Sequence, residues 1–188
     1  LLNIGKYEEI IKKYSNSLAI LTPQLFNEYA YLQPDIFNKL NYLIIGGDEL
    51  LTKYTSKVLD ICKKLNLINI YGPTECSVAA TTYKVKKDDK IIPIGKPISN
   101  TKCFILDKKQ RLLPIFCKGE IYIAGIGIGK GYINNAKSRQ NSFMDSKLFG
   151  NIYRTGDIGK YLEDGNIIFY GRIDNQLKIN GHRVEFAE

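Results

Sequence analysis

The 188-residue chain predicts an α/β fold in three parts. The first is a parallel-sheet βαβ subdomain over 1–82. A small β-barrel-like subdomain follows over 83–172, and 173–188 begins a C-terminal α+β domain. Three observations predict this. Up to Tyr71, short apolar runs rich in β-formers alternate with runs of helical period, the signature of βαβ units and a parallel sheet. From Tyr83 onward, five short β-like runs are separated by turn dipeptides, as in a small antiparallel sheet or barrel. Past Asp174 the pattern changes again, to one strand, Gln176 to Ile179, and a turn at Gly181.

Ser17 to Leu21 is a compact apolar run. Pro23 then opens a helix through Tyr29, since proline suits the first helical turn. Asn41 to Ile45 is β-rich and stops at Gly46-Gly47. Leu51 to Lys64 has helical spacing, with Leu51, Tyr54, Val58, Leu59 and Ile61 available for one face and Thr52 as a candidate N-cap. Leu67 to Ile70 is a strand ended by Gly72-Pro73. The later runs are Tyr83 to Val85, Lys102 to Leu106, Glu120 to Ala124, Asn151 to Tyr153 and Asn166 to Tyr170. Asp164-Gly165 between two of these apolar stretches is a hairpin signal.

Composition is that of a soluble globular chain, with 44% hydrophobic and 24% charged residues. No apolar run approaches the ~20 residues a membrane helix needs. The first residues lack the pattern of a signal peptide, and both ends read as cuts in a longer chain. The net charge of +8 comes from lysines scattered in pairs such as Lys12-Lys13 and Lys63-Lys64, not from one basic face. That disfavours a nucleic-acid binder, which would show steeply salt-dependent binding. An anionic ligand still benefits from the overall field. Cys62, Cys76, Cys103 and Cys117 form no C-x-x-C pair, and His182 is the only histidine, which argues against zinc. Buried free thiols and a reducing cytoplasm are expected.

Four stretches carry chemistry. In Asn69 to Glu75 (NIYGPTE), Gly72 and Pro73 turn the chain sharply after a strand. Thr74 and Glu75 are thereby presented at a strand's carboxyl end, where open α/β sheets bind ligands. A hydroxyl beside a carboxylate suits a phosphate oxygen and a hard cation such as Mg²⁺; a β-turn followed by a helix cap would read the same. In Tyr153 to Ile158 (YRTGDI), Asp157 can accept two hydrogen bonds, as a ribose diol offers. An Asx turn is the alternative. Gly119 to Tyr132 (GEIYIAGIGIGKGY) is glycine-rich but fits neither the phosphate loop nor the dinucleotide fingerprint. It reads as a strand followed by a loop with close backbone packing. In Gly171 to Glu185 (GRIDNQLKINGHRVE), Arg172 can make paired contacts with phosphate or ribose oxygens, or belong to a surface charge pair.

Taken together and in this order, the four stretches resemble the core motifs of the adenylation domains of nonribosomal peptide synthetases, in the adenylate-forming superfamily. Those motifs are N-x-Y-G-P-T-E, G-E-L-x-I-x-G-x-G-(V/L)-A-R-G-Y, Y-(R/K)-T-G-D and G-R-x-D-x-Q-V-K-I-R-G-x-R-(I/V)-E. The resemblance spans essentially the whole chain. It departs at Lys130 and Asn180, where the family has arginine.

The resemblance implies an ATP-dependent ligase. It joins an amino acid to AMP with release of pyrophosphate, then passes the acyl group to the phosphopantetheine thiol of a peptidyl carrier protein domain. It implies Glu75 as the Mg²⁺ ligand and Thr74 at the α-phosphate. Tyr71 and Phe169 would lie on either side of the adenine, with Asn69 and Gly72 nearby, Asp157 on the ribose hydroxyls and Arg172 at ribose or phosphate. Ile20, Ile44, Gly46, Ile70, Val78 and Ala79 would line a pocket for a hydrophobic or modest-sized amino acid. Asp174 would be the hinge on which Lys178, Gly181 and Arg183 swing. The family's glycine-rich phosphate loop and its C-terminal catalytic lysine have no counterpart here, so the chain alone is not expected to turn over. A stand-alone acyl or aryl acid ligase of the same superfamily, and a non-catalytic nucleotide-binding remnant, are the alternatives.

Overall fold

A computed structural model describes residues 17–133 and 142–173, the strands at 177–179 and 182–184, and residues 5, 9, 10, 13 and 14 of the N-terminal stretch. The chain divides into two compact units. One draws on 1–70 and 83–92, the other on 71–82 and 93–177, and residues near the C-terminus contribute to both.

The first unit is built on parallel strands. β1 (Ser17–Leu21) pairs with β2 (Leu40–Gly46), and β2 with β3 (Asn66–Tyr71), in matched register: Ile20 opposite Ile44, Ile44 opposite Ile68, Gly46 opposite Ile70. Helix α1 (Pro23–Leu32) connects β1 to a 3₁₀ segment, Pro34–Lys39, that leads into β2. Thr22 caps α1, its side-chain oxygen accepting the Leu25 amide, and Pro23 takes the first turn. Helix α2 (Thr52–Ile61) connects β2 to β3. This is the βαβ pattern that the alternating runs predict.

The core of this unit is one cluster. Phe26, Tyr29 and Phe37 meet Leu40, Leu43, Ile45, Val58 and Leu67, and Phe26 stacks on Phe37 at 5.7 Å. Two details of the α2 expectation change. Thr52 is the first helical residue, and Leu51 stands at the cap position without a side-chain cap. Leu51 and Ile61 are exposed, while Thr55 is buried beside Val58. Thr55 turns its hydroxyl onto the Thr52 carbonyl, so it enters the core with its polar atom bonded.

The second unit carries an antiparallel sheet in the order β10 (Ile167–Arg172), β9 (Gly150–Tyr161), β7 (Gly119–Gly125), β6 (Thr101–Leu106), with β8 (Phe143–Ser146) also on β9. β4 (Thr81–Lys84) and β5 (Lys96–Pro97) pair antiparallel between Thr81 and Pro97 and between Thr82 and Lys96. The antiparallel sheet is open: among the described residues no strand pairing closes it into a barrel. Both its faces are covered. Cys103, Ile105, Ile121, Ile123 and Tyr153 fill one side, and Leu106, Tyr122, Ala124 and Ile152 the other. That explains why Glu120 to Ala124 reads as a continuous apolar run instead of an alternating one.

The Asp164-Gly165 hairpin forms as expected between β9 and β10. Gly165 takes a φ of 81° that other residues rarely adopt, and the Leu162 amide donates to the Asn166 carbonyl. Near the C-terminus β11 (Leu177–Ile179) pairs with β12 (His182–Val184). Cys62, Cys76 and Cys103 are buried free thiols and Cys117 is exposed. Burial pushes the Cys76 and Cys103 thiols up to about 12. No helix among the described residues is long and apolar enough to cross a membrane.

Candidate nucleotide site

The site grows from irregularities in β9 and β10. Against β7, Glu120 pairs with Ile158 and Tyr122 with Arg154, so β9 carries two extra residues around Thr155–Gly156–Asp157. Against β10, Gly159 pairs with Phe169 and Asp157 with Arg172, so β10 carries one extra residue at Tyr170–Gly171. Such bulges re-aim side chains and cluster near active sites. Two glycines permit the bends, Gly156 at φ 74° and Gly171 at φ 97°. The stretch is therefore one long strand with an interruption in register, where separate short strands were expected.

Asp157 sits at the bulge, 4% exposed. Its Oδ2 accepts a hydrogen bond from the Tyr71 hydroxyl at 2.5 Å, and its Oδ1 accepts one from Arg172 Nη1 at 2.7 Å. Its own amide donates to Thr155 Oγ1, and that hydroxyl donates to the Ile121 carbonyl. Every rotor of the carboxylate is thus held. A buried carboxylate needs this compensation, because an unpaired charge in the interior costs several kcal/mol, on the order of 3–5 when one partner of a pair is lost. Arg172 is nearly as buried, with a side-chain exposure of 13%.

Tyr71 shares this arrangement. Burial, and then the negative charge of Asp157, push its hydroxyl well above the ordinary tyrosine value. A raised folded-state pKa contributes stability that is complete below about pH 10, the unfolded value, and is lost as the pH rises above it. Wild-type chain is therefore expected to lose more unfolding free energy between pH 8 and pH 11 than Tyr71→Phe. Urea unfolding at both pH values measures this, and equal losses would remove the argument for a protonated, carboxylate-bound Tyr71.

Tyr71 and Phe169 form a direct aromatic pair, tilted by 39° with ring centroids 6.3 Å apart. That separation is within the usual range for aromatic pairs. The Tyr71 hydroxyl is bonded to Asp157, and Phe169 is half-buried.

The turn after β3 brings in Gly72, Thr74 and Glu75. Gly72 is obligatory here: a Cβ would lie 2.6 Å from the Val78 carbonyl oxygen and 2.7 Å from the Ala80 nitrogen. Thr74–Cys76 form one 3₁₀ turn, closed by Ser77 and Val78 in left-handed conformations at φ 57° and 73°. For a β-branched valine this is a strained backbone, of the kind found at functional sites. Thr74 is exposed and Glu75 is half-buried. Tyr132 donates a hydrogen bond to Glu75 Oε1.

Asn69 is buried near the end of β3 in the first unit. Ile20, Ile44, Gly46 and Ile70 share one face of the parallel strands there, with Ile20 mostly exposed. A Cβ on Gly46 would run into Ile70 Cγ1 at 2.4 Å. Val78 and Ala79 belong to the second unit. Asp174 and Gly181 lie outside the described residues, and of Lys178 and Arg183 only the strand backbone is described.

Among the described residues, no cluster of three or more His, Cys, Asp or Glu could hold a metal by itself. A cation at Glu75 would take its other ligands from phosphate and water, the usual habit of Mg²⁺ at nucleotide sites. Two side chains of this region escaped the sequence reading, Tyr132 and Tyr153. Their contacts bridge 57 and 21 residues of sequence, and the only local signal was the tyrosine that ends the glycine-rich stretch.

A buried aspartate thus lies between a tyrosine and an arginine on an interrupted strand, and the tyrosine leads directly into a Gly-Pro-Thr-Glu turn. Residues 3–133 match the model of the AMP-binding enzyme family, and the chain belongs to that family. Over 192 residues it is 41% identical to bacitracin synthase 1 of Bacillus licheniformis, covering all of this chain and 4% of that protein. It is 40% identical to surfactin synthase subunit 2 of Bacillus subtilis (strain 168), covering 5% of it. Its fold superposes on PA1221, a nonribosomal peptide synthetase protein containing adenylation and carrier (PCP) domains. The TM-score is 0.92 at 34% identity, over 98% of this chain and 39% of PA1221. The resemblance to adenylation domains of nonribosomal peptide synthetases, read from the four motifs, is borne out over the whole chain.

Proposed function

We propose that this chain is part of an ATP-dependent enzyme that activates an amino acid as its adenylate and then loads it on the phosphopantetheine thiol of a carrier-protein domain. The observation that carries the reading is the buried Asp157, held by Tyr71 and Arg172 beside Phe169. A carboxylate suits the two hydroxyl donors of a ribose diol. Phe169 offers a face to adenine, and Arg172 a second donor edge to ribose or phosphate. Glu75 and Thr74 would hold Mg²⁺ and the α-phosphate. Catalysis would then rest on positioning and charge stabilisation at phosphorus, with few covalent demands on the protein.

The aliphatic or small character of Ile20, Ile44, Gly46, Ile70, Val78 and Ala79, the positions that the family resemblance implies for the amino acid, supports a hydrophobic one. PA1221, which pairs an adenylation with a carrier domain, supports the carrier as partner. Domain limits at 82 and 172, with a hinge at Asp174, complete the proposal.

Calorimetric titration of the chain with ATP and Mg²⁺ tests the nucleotide site. Weak binding is expected, with a Kd on the order of 1 mM, and Phe169→Ala should weaken it about tenfold through lost base stacking. A folded chain that takes up no ATP would defeat the reading.

A further inference from the structure

The glycine-rich stretch that ends at Tyr132 has no task in the function proposed above, yet it is fastened to the turn that carries Glu75. We propose that Tyr132 is a positioning residue for Glu75, and that residues 125–132 form the clamp that orients this carboxylate toward a phosphate-bound divalent cation. The inference rests on the reading of Glu75 as the cation ligand.

Three hydrogen bonds make the clamp. The Tyr132 hydroxyl donates to Glu75 Oε1. The Gly129 amide donates to the Glu75 carbonyl at 2.7 Å, and Ser77 Oγ donates to the Gly127 carbonyl at 2.9 Å. Gly129 permits the approach, since a Cβ there would come within 3.3 Å of that same Glu75 carbonyl oxygen. The phenol is itself held. Its ring stands edge-on to Phe143 at 5.3 Å, Phe143 packs on the buried Tyr153 at 5.0 Å, and the Tyr153 hydroxyl lies 3.4 Å from that of Tyr132.

The chemistry of the donor matters. A lysine or arginine in this place would cancel the carboxylate's charge and compete with a cation. A neutral phenol orients the carboxylate without cancelling its charge. Glutamate otherwise spends several rotors in binding, and a clamp that has already stilled them improves the affinity for whatever the carboxylate binds.

Tyr132→Phe tests this, because it removes one oxygen and keeps the ring on Phe143. ATP binding is titrated with Mg²⁺ and again with EDTA, in wild type, Tyr132→Phe, Glu75→Gln and the double variant. Affinity with Mg²⁺ is expected to fall about three- to tenfold in Tyr132→Phe, with no change in EDTA. The double variant should be no weaker than Glu75→Gln, because the two side chains act through one contact. Equal weakening in Mg²⁺ and EDTA, or an unchanged Mg²⁺ enhancement, would overturn the role of Tyr132 while Glu75 remains the ligand. A wild type that binds ATP equally with and without Mg²⁺ would overturn the assignment of Glu75, and the clamp's purpose with it.

Discussion

Asp157→Ala is expected to destabilise the second unit by about 3–5 kcal/mol, the cost of breaking a buried ion pair from one side. Arg172 would be left with its guanidinium largely out of water, and its hydrogen bond from Nη1 to Oδ1 would have no acceptor. Tyr71 would lose the carboxylate acceptor of its buried hydroxyl. Asp157→Asn keeps the shape and an oxygen for Tyr71, so its cost should be smaller, about 2–3 kcal/mol, from the loss of the carboxylate charge beside Arg172. Removing both charges with Asp157→Asn and Arg172→Met should recover part of the loss, because an apolar replacement of a whole buried pair is often near neutral. ATP binding should not recover with it. Urea unfolding gives the stabilities and calorimetry the binding. If the double variant regains both, Asp157 is a structural residue and the nucleotide is held elsewhere.

Gly72→Ala is the second large effect. The new methyl would meet three backbone atoms: the Val78 oxygen at 2.6 Å, the Ala80 nitrogen at 2.7 Å and the Ala79 Cα at 2.9 Å. No side chain can rotate away to make room, so the returning chain must move. That chain is tied down where it would have to yield, since the Ala80 amide donates to the Tyr71 carbonyl at 2.7 Å. Displacing it would also pull the Tyr71 hydroxyl off Asp157. Overpacking without relief costs about 1–3 kcal/mol or more, which lowers the midpoint of a chain this size by roughly 2–4 °C per kcal/mol. Gly127→Ala is the matched control, for its nearest neighbour would be 3.5 Å away, and it should stay within about 0.5 kcal/mol of wild type. Equal melting of the two variants would mean that the turn at Gly72 has slack that its contacts deny.

The strands of the first unit and their connecting helices were legible from apolar runs and punctuation. Pro23, Gly46-Gly47 and Gly72-Pro73 stand where elements change, and backbone preference alone makes them do so. Leu51 and Ile61 lie on the predicted face and are nevertheless exposed, because a helical period names a face without saying how wide the contact is; the buried strip runs through Thr55 and Val58. β9 continues well past Asn151–Tyr153, the short run that the sequence predicts, although Thr-Gly-Asp resembles a turn. In the fold the flanking strands β7 and β10 continue to pair with it past that point, and the extra residues are absorbed as bulges. The expected antiparallel sheet of short strands is present, and among the described residues no pairing closes it into a barrel, since strand spacing predicts neighbours but not closure.

The chemical inventory of the site was likewise written in the chain. Thr74, Glu75, Asp157, Phe169 and Arg172 could be named from motifs, because each motif is local and its residue types suit phosphate, ribose and cation. What the motifs left open was which group holds which. Tyr71 reaches Asp157 across 86 residues and Tyr132 reaches Glu75 across 57. Such pairings depend on strand order and register, which arise when whole faces are buried together. By itself the sequence determined most of the elements, the family and the residue types that suit a nucleotide. Only the tertiary structure decided that Tyr71 serves the carboxylate and that the glycine-rich loop grips Glu75, because a hydrogen bond is fixed by position to a few tenths of an ångström and position is a property of the packed chain.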